Sequence, residues 1–312
     1  MIENVVSTGL FVDENLDIKR NRLMPEVIKG GEKRICIVTG THGDELEGQY
    51  VCFELIRRIL ANKECLKGIV DVYPALNPMG IESIIRGIPM FDLDMNRIFP
   101  GSEDGSAAEY VASRIVKDIS GADMCVDIHS SNIFLREIPQ VRVSESTSEK
   151  LVPYASMLNI DFIWVHASST VLQSTLAHSL NSIGVPTLVV EMGVGMRITK
   201  NYGEQLLDGI FNLMGEMGIW EGKTAKVKEP IISTDGLVSF VNAKASGIFV
   251  SCINHTMKIS QGEKLGEIIN PISGSVLDEV KAPCSGIVFT LREYPVVYEG
   301  SLIARILGGN ST

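Results

Sequence analysis

Apolar and polar positions alternate in two different ways along this 312-residue chain. Between about Pro25 and Gly215, short continuous apolar runs typical of buried strands are separated by longer segments with apolar residues at helical spacing. The predicted strands cover residues 34–39, 69–75, 123–128, 161–165 and 185–191. The predicted helices cover residues 45–61, 106–119, 147–157, 173–183 and 203–217. This alternation predicts an α/β domain whose mostly parallel or mixed sheet is covered by helices on both faces.

The pattern changes after about Lys223. From Ile231 to Leu307, short apolar or alternating runs recur about every eight to twelve residues between glycines, and no helical pattern appears. Such runs are typical of a small all-β module. Because the segment Glu216–Pro230 is polar, we predict a linker there, with one domain over residues 1–222 and a second over residues 223–312.

The β module contains a phrase, Ala282-Pro283-Cys284-Ser285-Gly286, that resembles the turn of biotinyl- and lipoyl-type β-barrels. Residues 241–249 contain an echo of it. Barrels of that type can carry a modified lysine, and Met257-Lys258 is superficially similar to one. The acidic-Ala-Met-Lys-Met setting of a biotinylated lysine is absent from the sequence. We therefore expect a barrel that serves as a lid or a scaffold rather than as a carrier.

Composition limits the partners of the chain. The formal net charge of −10 disfavours nucleic acid and anionic membranes as main partners. Six cysteines are scattered without a Cys-x-x-Cys pair, which argues against a disulfide framework or a cysteine-based zinc site and favours a reducing compartment. No uncharged apolar run has membrane-spanning length, and no signal-peptide core is present. We expect a cytoplasmic protein, and whether it forms a homo-oligomer stays open.

The turn after the first predicted strand concentrates reactive side chains. Its phrase Gly40-Thr41-His42-Gly43-Asp44-Glu45 places an imidazole and a carboxylate three residues apart, between a strand and a helix. In open α/β sheets, ligand sites lie at this edge. Histidine and glutamate are a pair that a catalytic zinc accepts, provided that a third ligand arrives from elsewhere and one position stays open. For His42 alone, a turn-capping role would be the more common explanation.

Another apolar strand pattern ends at His129, which would complete such a site if the two strands are neighbours. Asp127 lies two residues earlier and points to the same side of the strand. We expect it to orient the histidine, because metal-bound histidines usually have a second carboxylate partner. Alone, His129 would be explained equally well by a backbone partner, so the prediction depends on its combination with Glu45. Whether Asp44 orients His42 or faces solvent stays open.

Further phrases follow at strand ends and in loops: Asn77-Pro78-Met79-Gly80, Asp94-Met95-Asn96-Arg97-Ile98-Phe99-Pro100-Gly101 and Glu191-Met192-Gly193. With these phrases in order after the histidine turn, the chain resembles the succinylglutamate desuccinylase/aspartoacylase family, within the carboxypeptidase A-like zinc hydrolases. The resemblance covers essentially the whole chain. It implies a carboxypeptidase-like mixed sheet with flanking helices, followed by a small C-terminal barrel-like module.

The resemblance also implies roles for the matched residues. His42, Glu45 and His129 would hold one Zn²⁺ with a position open for water, and the metal would lower the pKa of that water. Glu191 matches the family's catalytic glutamate, which takes a proton from the water and delivers it to the leaving nitrogen. A charged residue at the end of the apolar run Thr187–Val190 needs such a reason.

Asn96 and Arg97 match the pair that grips the substrate carboxylate in this family. A guanidinium forks onto a carboxylate through two charge-assisted hydrogen bonds. Arg86 lies where relatives place an arginine that stabilises the tetrahedral oxyanion, although the loop around it varies in length. In isolation, Arg97 would be explained by a surface ion pair. The resemblance leaves open the roles of Arg197, Tyr298, His166 and His178.

These features predict a zinc-dependent amidohydrolase (a deacylase) that acts on a small N-acylated amino acid. A zinc carboxypeptidase would use the same metal ligands, but in relatives the β module narrows access to the metal, which suits small substrates. A noncatalytic binding protein could also keep this fold as a scaffold. Loss of Glu191 or of a ligand would indicate that alternative, and all of these residues are present.

Overall fold

Parallel strands form the centre of the sheet, in the spatial order β4 (Ile69–Tyr73), β3 (Arg34–Thr39), β5 (Met124–His129) and β8 (Thr187–Gly193). Almost every residue in them is buried, because helices cover both faces of the sheet. Their sequences are therefore continuous apolar runs rather than alternating ones. The computed structural model describes residues 1–167 and 173–308, apart from the side chains of Phe11 and Asp235.

Further strands extend this core at both edges. On one side, β1 (Ile2–Gly9) pairs with β2 (Asn15–Leu23), and β2 pairs with β4, both in antiparallel fashion. On the other side, β6 (Leu135–Ser144) runs antiparallel to β8, and β7 (Phe162–His166) and β9 (Ile231–Thr234) continue from β6 in parallel. The sequence pattern did not predict β1, β2 or β6, because charged and polar residues interrupt their apolar positions.

Helices pack on both faces of the sheet, and each predicted helix is present within a few residues of its expected bounds: α1 (Glu47–Ala61), α2 (Pro78–Ser83, not predicted), α3 (Ala107–Ile119), α4 (Glu145–Ala155), α5 (Leu176–Ser182) and α6 (Lys200–Glu216). One apolar core lies between the sheet and α1, α4 and α6, and another lies between the sheet and α3 and α5. Within the described ranges, no helix combines the length and the apolar character that crossing a membrane requires.

Up to residue 308, the regular elements of the C-terminal module are strands, apart from one short 3₁₀ turn: β10 (Val238–Asn242), β11 (Gly247–Ser251), β12 (Lys258–Ile259), β13 (Lys264–Asn270), β14 (Ser275–Lys281), β15 (Gly286–Arg292), β16 (Val296–Val297) and β17 (Leu302–Leu307). The sheet β14-β13-β11-β16 and the strands β10, β12, β15 and β17 enclose a third apolar core. The predicted fold class, a mixed α/β sheet with flanking helices and a C-terminal all-β module, is confirmed.

The two regions share hydrogen-bonded strands. In the β module, β15 pairs with β6 of the α/β region, and β9, which follows the predicted linker, pairs with β7. The boundary at residue 222 stays a prediction, and residues 309–312 of the predicted second domain lie outside the described residues. The sheet itself continues from one region into the other.

Candidate metal centre and active site

The carboxyl ends of β3, β5 and β8 meet at one edge of the sheet. The register between the strands places Thr39 beside Ile128, and His129 beside Glu191. The two strands that precede the predicted histidines are therefore neighbours. The side chains expected to do the chemistry come from this edge and from the loops around it.

The turn after β3 is held by a close contact with the short helix α2. A Cβ atom on Gly43 would lie 2.0 Å from the backbone of Gly80, so this position requires glycine. Gly80 N donates to Asn77 Oδ1 at 2.9 Å, which caps the helix. The side-chain amide of Asn77 donates to the carbonyl of Gly87 at 2.9 Å. The Asn-Pro-x-Gly phrase thus positions both the histidine turn and the loop that carries Arg86.

His42, Glu45 and His129 converge on one buried point. Glu45 divides its carboxylate between the rings: Oε1 lies 2.9 Å from His42 Nδ1, and Oε2 lies 2.9 Å from His129 Nδ1. Ser130 N also donates to Glu45 Oε2 at 3.0 Å. One donor atom from each of the three residues lies within 4.8 Å of the others. Two imidazoles and one carboxylate in this arrangement could hold a metal ion.

Each imidazole meets another carboxylate at its second nitrogen. His42 Nε2 is hydrogen-bonded to Asp94 Oδ1 at 3.1 Å. His129 Nε2 lies 3.1 Å from Asp127 Oδ2, the carboxylate expected from the sequence, at an angle outside hydrogen-bond geometry. Such carboxylates fix the orientation and the tautomer of metal-bound histidines. The residue that orients His42 is therefore Asp94. Asp44 is also buried, and its Oδ1 finds no hydrogen-bond partner among the described residues.

The pKa shifts of His42, Glu45 and His129 favour positive charge beside the carboxylates of this cluster. Burial raises the pKa of Glu45, but His42 and His129 outweigh this effect and hold that pKa well below its usual range. Burial lowers the pKa of His42 and of His129, but the surrounding carboxylates outweigh it and raise both. A raised pKa favours the protonated form of each ring, so the surrounding carboxylates favour positive charge at these nitrogens. A divalent cation would take the place of that positive charge at the same nitrogens.

Arg86 reaches the cluster from the loop after α2. Its NH1 donates to Glu45 Oε1 at 2.9 Å and to the carbonyl of Ser131 at 3.1 Å, and its Nε donates to Asp94 Oδ2 at 3.4 Å. The guanidinium also lines the cavity above the cluster. The structure therefore brings the predicted arginine to the side of the predicted metal ligands.

Asn96 and Arg97 enter the same cavity from a 3₁₀ turn, Met95–Arg97. Asp94 caps this turn by accepting the backbone N–H of Asn96 at 2.8 Å. Asn96 Oδ1 accepts the backbone N–H of Leu176, at the start of α5, at 3.0 Å. Arg97 is exposed, and its NH1 donates to the carbonyl of Asn96 at 2.7 Å. The amide oxygen of Asn96 is thus engaged, and the guanidinium of Arg97 is not neutralised by these contacts.

Glu191 lies at the end of β8, buried beside His129 and lining the cavity. Arg142 NH1, from β6, lies 3.3 Å from Glu191 Oε1. Oε2 is buried and finds no hydrogen-bond partner within the described ranges. Burial raises the pKa of Glu191, and Arg142 opposes this without cancelling it. A buried carboxylate with a raised pKa and one uncommitted oxygen is suited to accept and return a proton.

The cavity has a volume of about 640 Å³ and opens over the predicted metal ligands, Glu191, Arg86, Asn96 and Arg97. Of the residues whose roles the sequence left open, His166 and His178 line this cavity. Arg197 is exposed on the loop after β8, and Tyr298 is 72% exposed on the β module.

Sequence reasoning did not single out Asp94 or Arg142 as site residues. Asp94 is the first residue of the matched Asp-x-Asn-Arg phrase, so its position was available from the sequence. Arg142 is a charged residue within the otherwise apolar and polar run Ile138–Val143. A charge at a partly buried strand position between buried neighbours is the signal that could have indicated its role.

A family model described as the succinylglutamate desuccinylase/aspartoacylase catalytic domain matches residues 32–217, more than half of the chain. This chain belongs to the succinylglutamate desuccinylase/aspartoacylase family. The resemblance carried by the sequence phrases is thereby confirmed.

Relatives of this family member match it over most of its length. It is 28% identical over 299 residues to the N-alpha-acetyl-L-2,4-diaminobutyric acid deacetylase of Halomonas elongata, covering 90% of this chain and 84% of that protein. The crystal structure of a succinylglutamate desuccinylase/aspartoacylase from Rhodobacter sphaeroides is similar with a TM-score of 0.82 and 22% identity, over 99% of this chain and 96% of the other.

The product-bound ectoine utilization protein of Ruegeria pomeroyi is similar with a TM-score of 0.80 and 21% identity, over 98% of this chain and 93% of the other. At this level of identity, the solved structures support the fold of the family member.

Proposed function

We propose that this family member is a zinc-dependent amidohydrolase that removes the acyl group from a small N-acyl amino acid. The observation that carries the proposal is that one cavity is lined both by the His-Glu-His donor set and by Glu191. His129 and Glu191 lie at paired positions of neighbouring strands. The similarity to a deacetylase of an N-acetylated amino acid supports this reaction class.

His42, Glu45 and His129 would hold one zinc ion per chain. Two imidazoles and one carboxylate are ligands of known hydrolytic zinc sites, in which a further position stays open for water or substrate. Zinc, when bound, lowers the pKa of a water molecule and polarises the acyl carbonyl. Asp94 and Asp127 would keep both Nδ1 atoms directed towards the point that Glu45 faces.

Glu191 would move the proton. Its Oε2 takes a proton from the water whose oxygen bonds to the acyl carbon, and the same atom then delivers the proton to the leaving nitrogen. The carbon–nitrogen bond breaks, and the products are the acyl carboxylic acid and the free amino acid. The raised pKa of Glu191, which follows from its burial, suits a group that must hold the proton briefly.

Arg86 would stabilise the negative charge that develops on the acyl oxygen. Its contacts with Glu45 and Asp94 fix the guanidinium at the wall of the cavity before substrate arrives. A donor that is already in place costs no reorganisation when charge develops, which is why such groups contribute strongly to catalysis.

Asn96 and Arg97 would bind the carboxylate of the amino acid. Arg97 offers a planar guanidinium, which suits a carboxylate because two parallel N–H donors match its two oxygens. The engaged Oδ1 of Asn96 leaves its side-chain NH₂ as the available donor. An anionic substrate of this kind also agrees with the exposed position of Arg97 at the cavity.

The cytoplasm is the proposed location. Each of the six cysteines is free, which agrees with a reducing compartment. The proposed partner is the small N-acyl amino acid itself, and the net charge of −10 opposes nucleic acid as a second partner.

The proposal is tested by a hydrolysis screen of zinc-loaded protein against acetyl-, succinyl- and formyl-amino acids, together with a blocked peptide that has a free C-terminus. We expect free amino acid from at least one N-acyl amino acid and none from the peptide. Zinc-loaded Glu191→Gln protein is the matched control for contaminating hydrolases. Release of the C-terminal residue from the peptide alone would assign a carboxypeptidase instead.

A further inference from the structure

A row of charged side chains leads from Glu191 into the β module. Arg142 NH1 lies 3.3 Å from Glu191 Oε1, and Arg142 NH2 donates to Glu137 Oε1 at 3.1 Å. Arg305 NH1 donates to the same Glu137 oxygen at 2.8 Å. Thr290 Oγ1 donates to Glu137 Oε2 at 2.6 Å. Glu137 and Arg142 belong to β6, whereas Thr290 and Arg305 belong to β15 and β17 of the β module.

Glu137 is the centre of this row, and it is fully buried, with 0% exposure. Gln140 Nε2 adds a further donor at 2.6 Å from Glu137 Oε2. Burial raises the pKa of Glu137, but Arg142 and Arg305 outweigh this effect and lower it below its usual value. Buried ion pairs often contribute little net stability compared with apolar residues of similar size. A role in the site therefore explains the row better than stability alone.

An irregular register in β6 brings Glu137 and Arg142 to the same side. Glu137 is paired with Gly193 of β8 and with Thr290 of β15, but the register shifts before Gln140, which is paired with Glu191. Irregularities of this kind next to active sites re-aim side chains. Here the shift places a carboxylate from one end of β6 beside a guanidinium from the other.

We propose that Arg142 is a positioning residue for Glu191, and that the β module holds Arg142 in place through Glu137. This role depends on the proposed function of Glu191 as the proton carrier. Arg142 holds Oε1 and leaves Oε2 as the atom that exchanges protons. Arg305 and Thr290 fix the carboxylate that fixes Arg142. The β module thus acts on the catalytic carboxylate through Glu137 and Arg142.

Arg142 also lines the cavity, so binding of a substrate anion is the competing explanation. Its guanidinium is already shared between the carboxylates of Glu191 and Glu137, and a substrate anion would have to compete with both. Among the described residues, Arg97 contacts no carboxylate and donates to the backbone carbonyl of Asn96. The geometry therefore favours positioning for Arg142 and carboxylate binding for Arg97.

The first test compares wild type with Arg142→Met and Arg142→Lys, all loaded with zinc, on the best substrate of the screen. We expect Arg142→Met to lower kcat on the order of 10- to 100-fold, because a misplaced catalytic group loses that much, with KM within about threefold of wild type. Arg142→Lys keeps the charge without the planar fork, so it should recover part of the loss. A raised KM with unchanged kcat would overturn positioning in favour of substrate binding.

The second test asks whether the β module acts through Arg142. Arg305→Lys should lower kcat in the wild-type background and have little further effect in the Arg142→Met background, since residues that act as a unit are not additive. Equal losses in both backgrounds would overturn the route through Glu137.

Arg136→Met is the matched control. Arg136 also lies on β6 and makes a two-pronged contact with Glu293 of the β module, at 3.1 Å for both bonds, without touching Glu137 or Glu191. The Arg136→Met variant should leave kcat and KM unchanged. If Arg136→Met lowered kcat as much as Arg305→Lys does, then weakening any contact between β6 and the β module would be sufficient to lower kcat. That result would overturn the inference.

The melting temperature and the zinc content of each variant are measured as well. Wild-type values of both would show that a loss of kcat does not come from misfolding or loss of zinc. The crystal structure of Arg142→Met supplies a readout that needs no turnover, and we expect the Glu191 side chain to leave its wild-type position. An unmoved Glu191 would refute the positioning role. If wild type hydrolysed no substrate, the proposed function would fail, while this structure would still decide the placement of Glu191.

Discussion

Asp94 Oδ1 lies 3.1 Å from His42 Nε2, on the side of the ring opposite to Glu45. The same oxygen accepts the backbone N–H of Asn96 at 2.8 Å, and the other oxygen lies 3.4 Å from Arg86 Nε. One carboxylate therefore connects His42, a proposed metal ligand, with Arg86, the proposed oxyanion donor. It also connects both to the turn that carries the residues proposed to bind the substrate carboxylate. Changes at Asp94 should affect metal binding and substrate binding together.

Asp94→Asn should weaken zinc binding on the order of 10- to 100-fold, which is the usual effect of removing the carboxylate behind a metal-bound histidine. It should also raise KM, since the turn that holds Asn96 loses a charged cap. A competition titration with a chromophoric chelator measures the first effect, and steady-state kinetics the second. Asp92→Asn, an exposed change two residues away, is the control and should alter neither.

Glu191→Gln should keep zinc and lose turnover on the order of 10³-fold, because the amide cannot accept the proton from water. Metal content by elemental analysis and kcat by amino-acid release check the two halves of this prediction. The exposed Glu216→Gln serves as a matched change of charge. Near-normal hydrolysis by the Glu191 variant would remove this residue from the mechanism.

Arg97→Met should lower kcat/KM for substrates with a free carboxylate on the order of 10- to 100-fold, the worth of a hydrogen bond to a charged group. For the matching methyl esters, kcat/KM of wild type and variant should differ little, because the ester lacks the carboxylate charge that Arg97 would bind. Arg114→Met, at a partly exposed arginine on α3, controls for loss of a surface charge. Equal losses for acids and esters would contradict carboxylate recognition by Arg97.

Purified protein should bind about one zinc ion per chain, and chelation should abolish activity that added zinc restores. Nearby carboxylates outweigh burial and raise the pKa of His42 and His129, which favours the protonated rings, so we expect zinc binding to release protons. The apparent zinc affinity should therefore rise with pH through the neutral range. Calorimetry in two buffers of different ionisation enthalpy measures the protons released, and release of none would contradict the assignment of these ligands.

His255 should make stability depend on pH. Burial lowers the pKa of His255 from 6.5 to about 4, and its Nδ1 lies 3.1 Å from the hydroxyl of Tyr202. Between these two pKa values the unfolded chain binds more protons, so the free energy of unfolding falls as pH falls. Between pH 7 and pH 5, wild type should lose about 2 kcal/mol more than His255→Gln. Urea unfolding at both pH values checks this, and parallel losses would show that His255 is not responsible.

The candidate metal ligands were accessible from the sequence because each lies at or shortly after a strand end, within a short phrase. The continuous apolar runs before His42, His129 and Glu191 predict buried parallel strands, and the carboxyl ends of such strands meet at one edge. The register then places His129 beside Glu191. Local patterns thus placed each residue near a strand end, the family resemblance indicated Glu191, and the structure supplied the pairing of the strands.

The contacts of Arg142 were not accessible in the same way. They depend on β6, whose charged residues hide its strand pattern, and on a register shift between Glu137 and Gln140. They also depend on Arg305, which lies 168 residues from Glu137 in the chain. Pairings of that separation follow from tertiary structure and leave no periodic signal in either segment.

The hydrogen bonds between β6 and β15 have a consequence for anyone who divides or recombines this chain. A fragment that stops at residue 222 would lose both β15 and β9, and would present β6 and β7 with unpaired backbone groups to solvent. Exposed strand edges of this kind recruit other chains and lead to aggregation. Chimeras with other family members should therefore exchange β6, β7 and the C-terminal module as one unit, because β6 is hydrogen-bonded to β15 and β7 to β9.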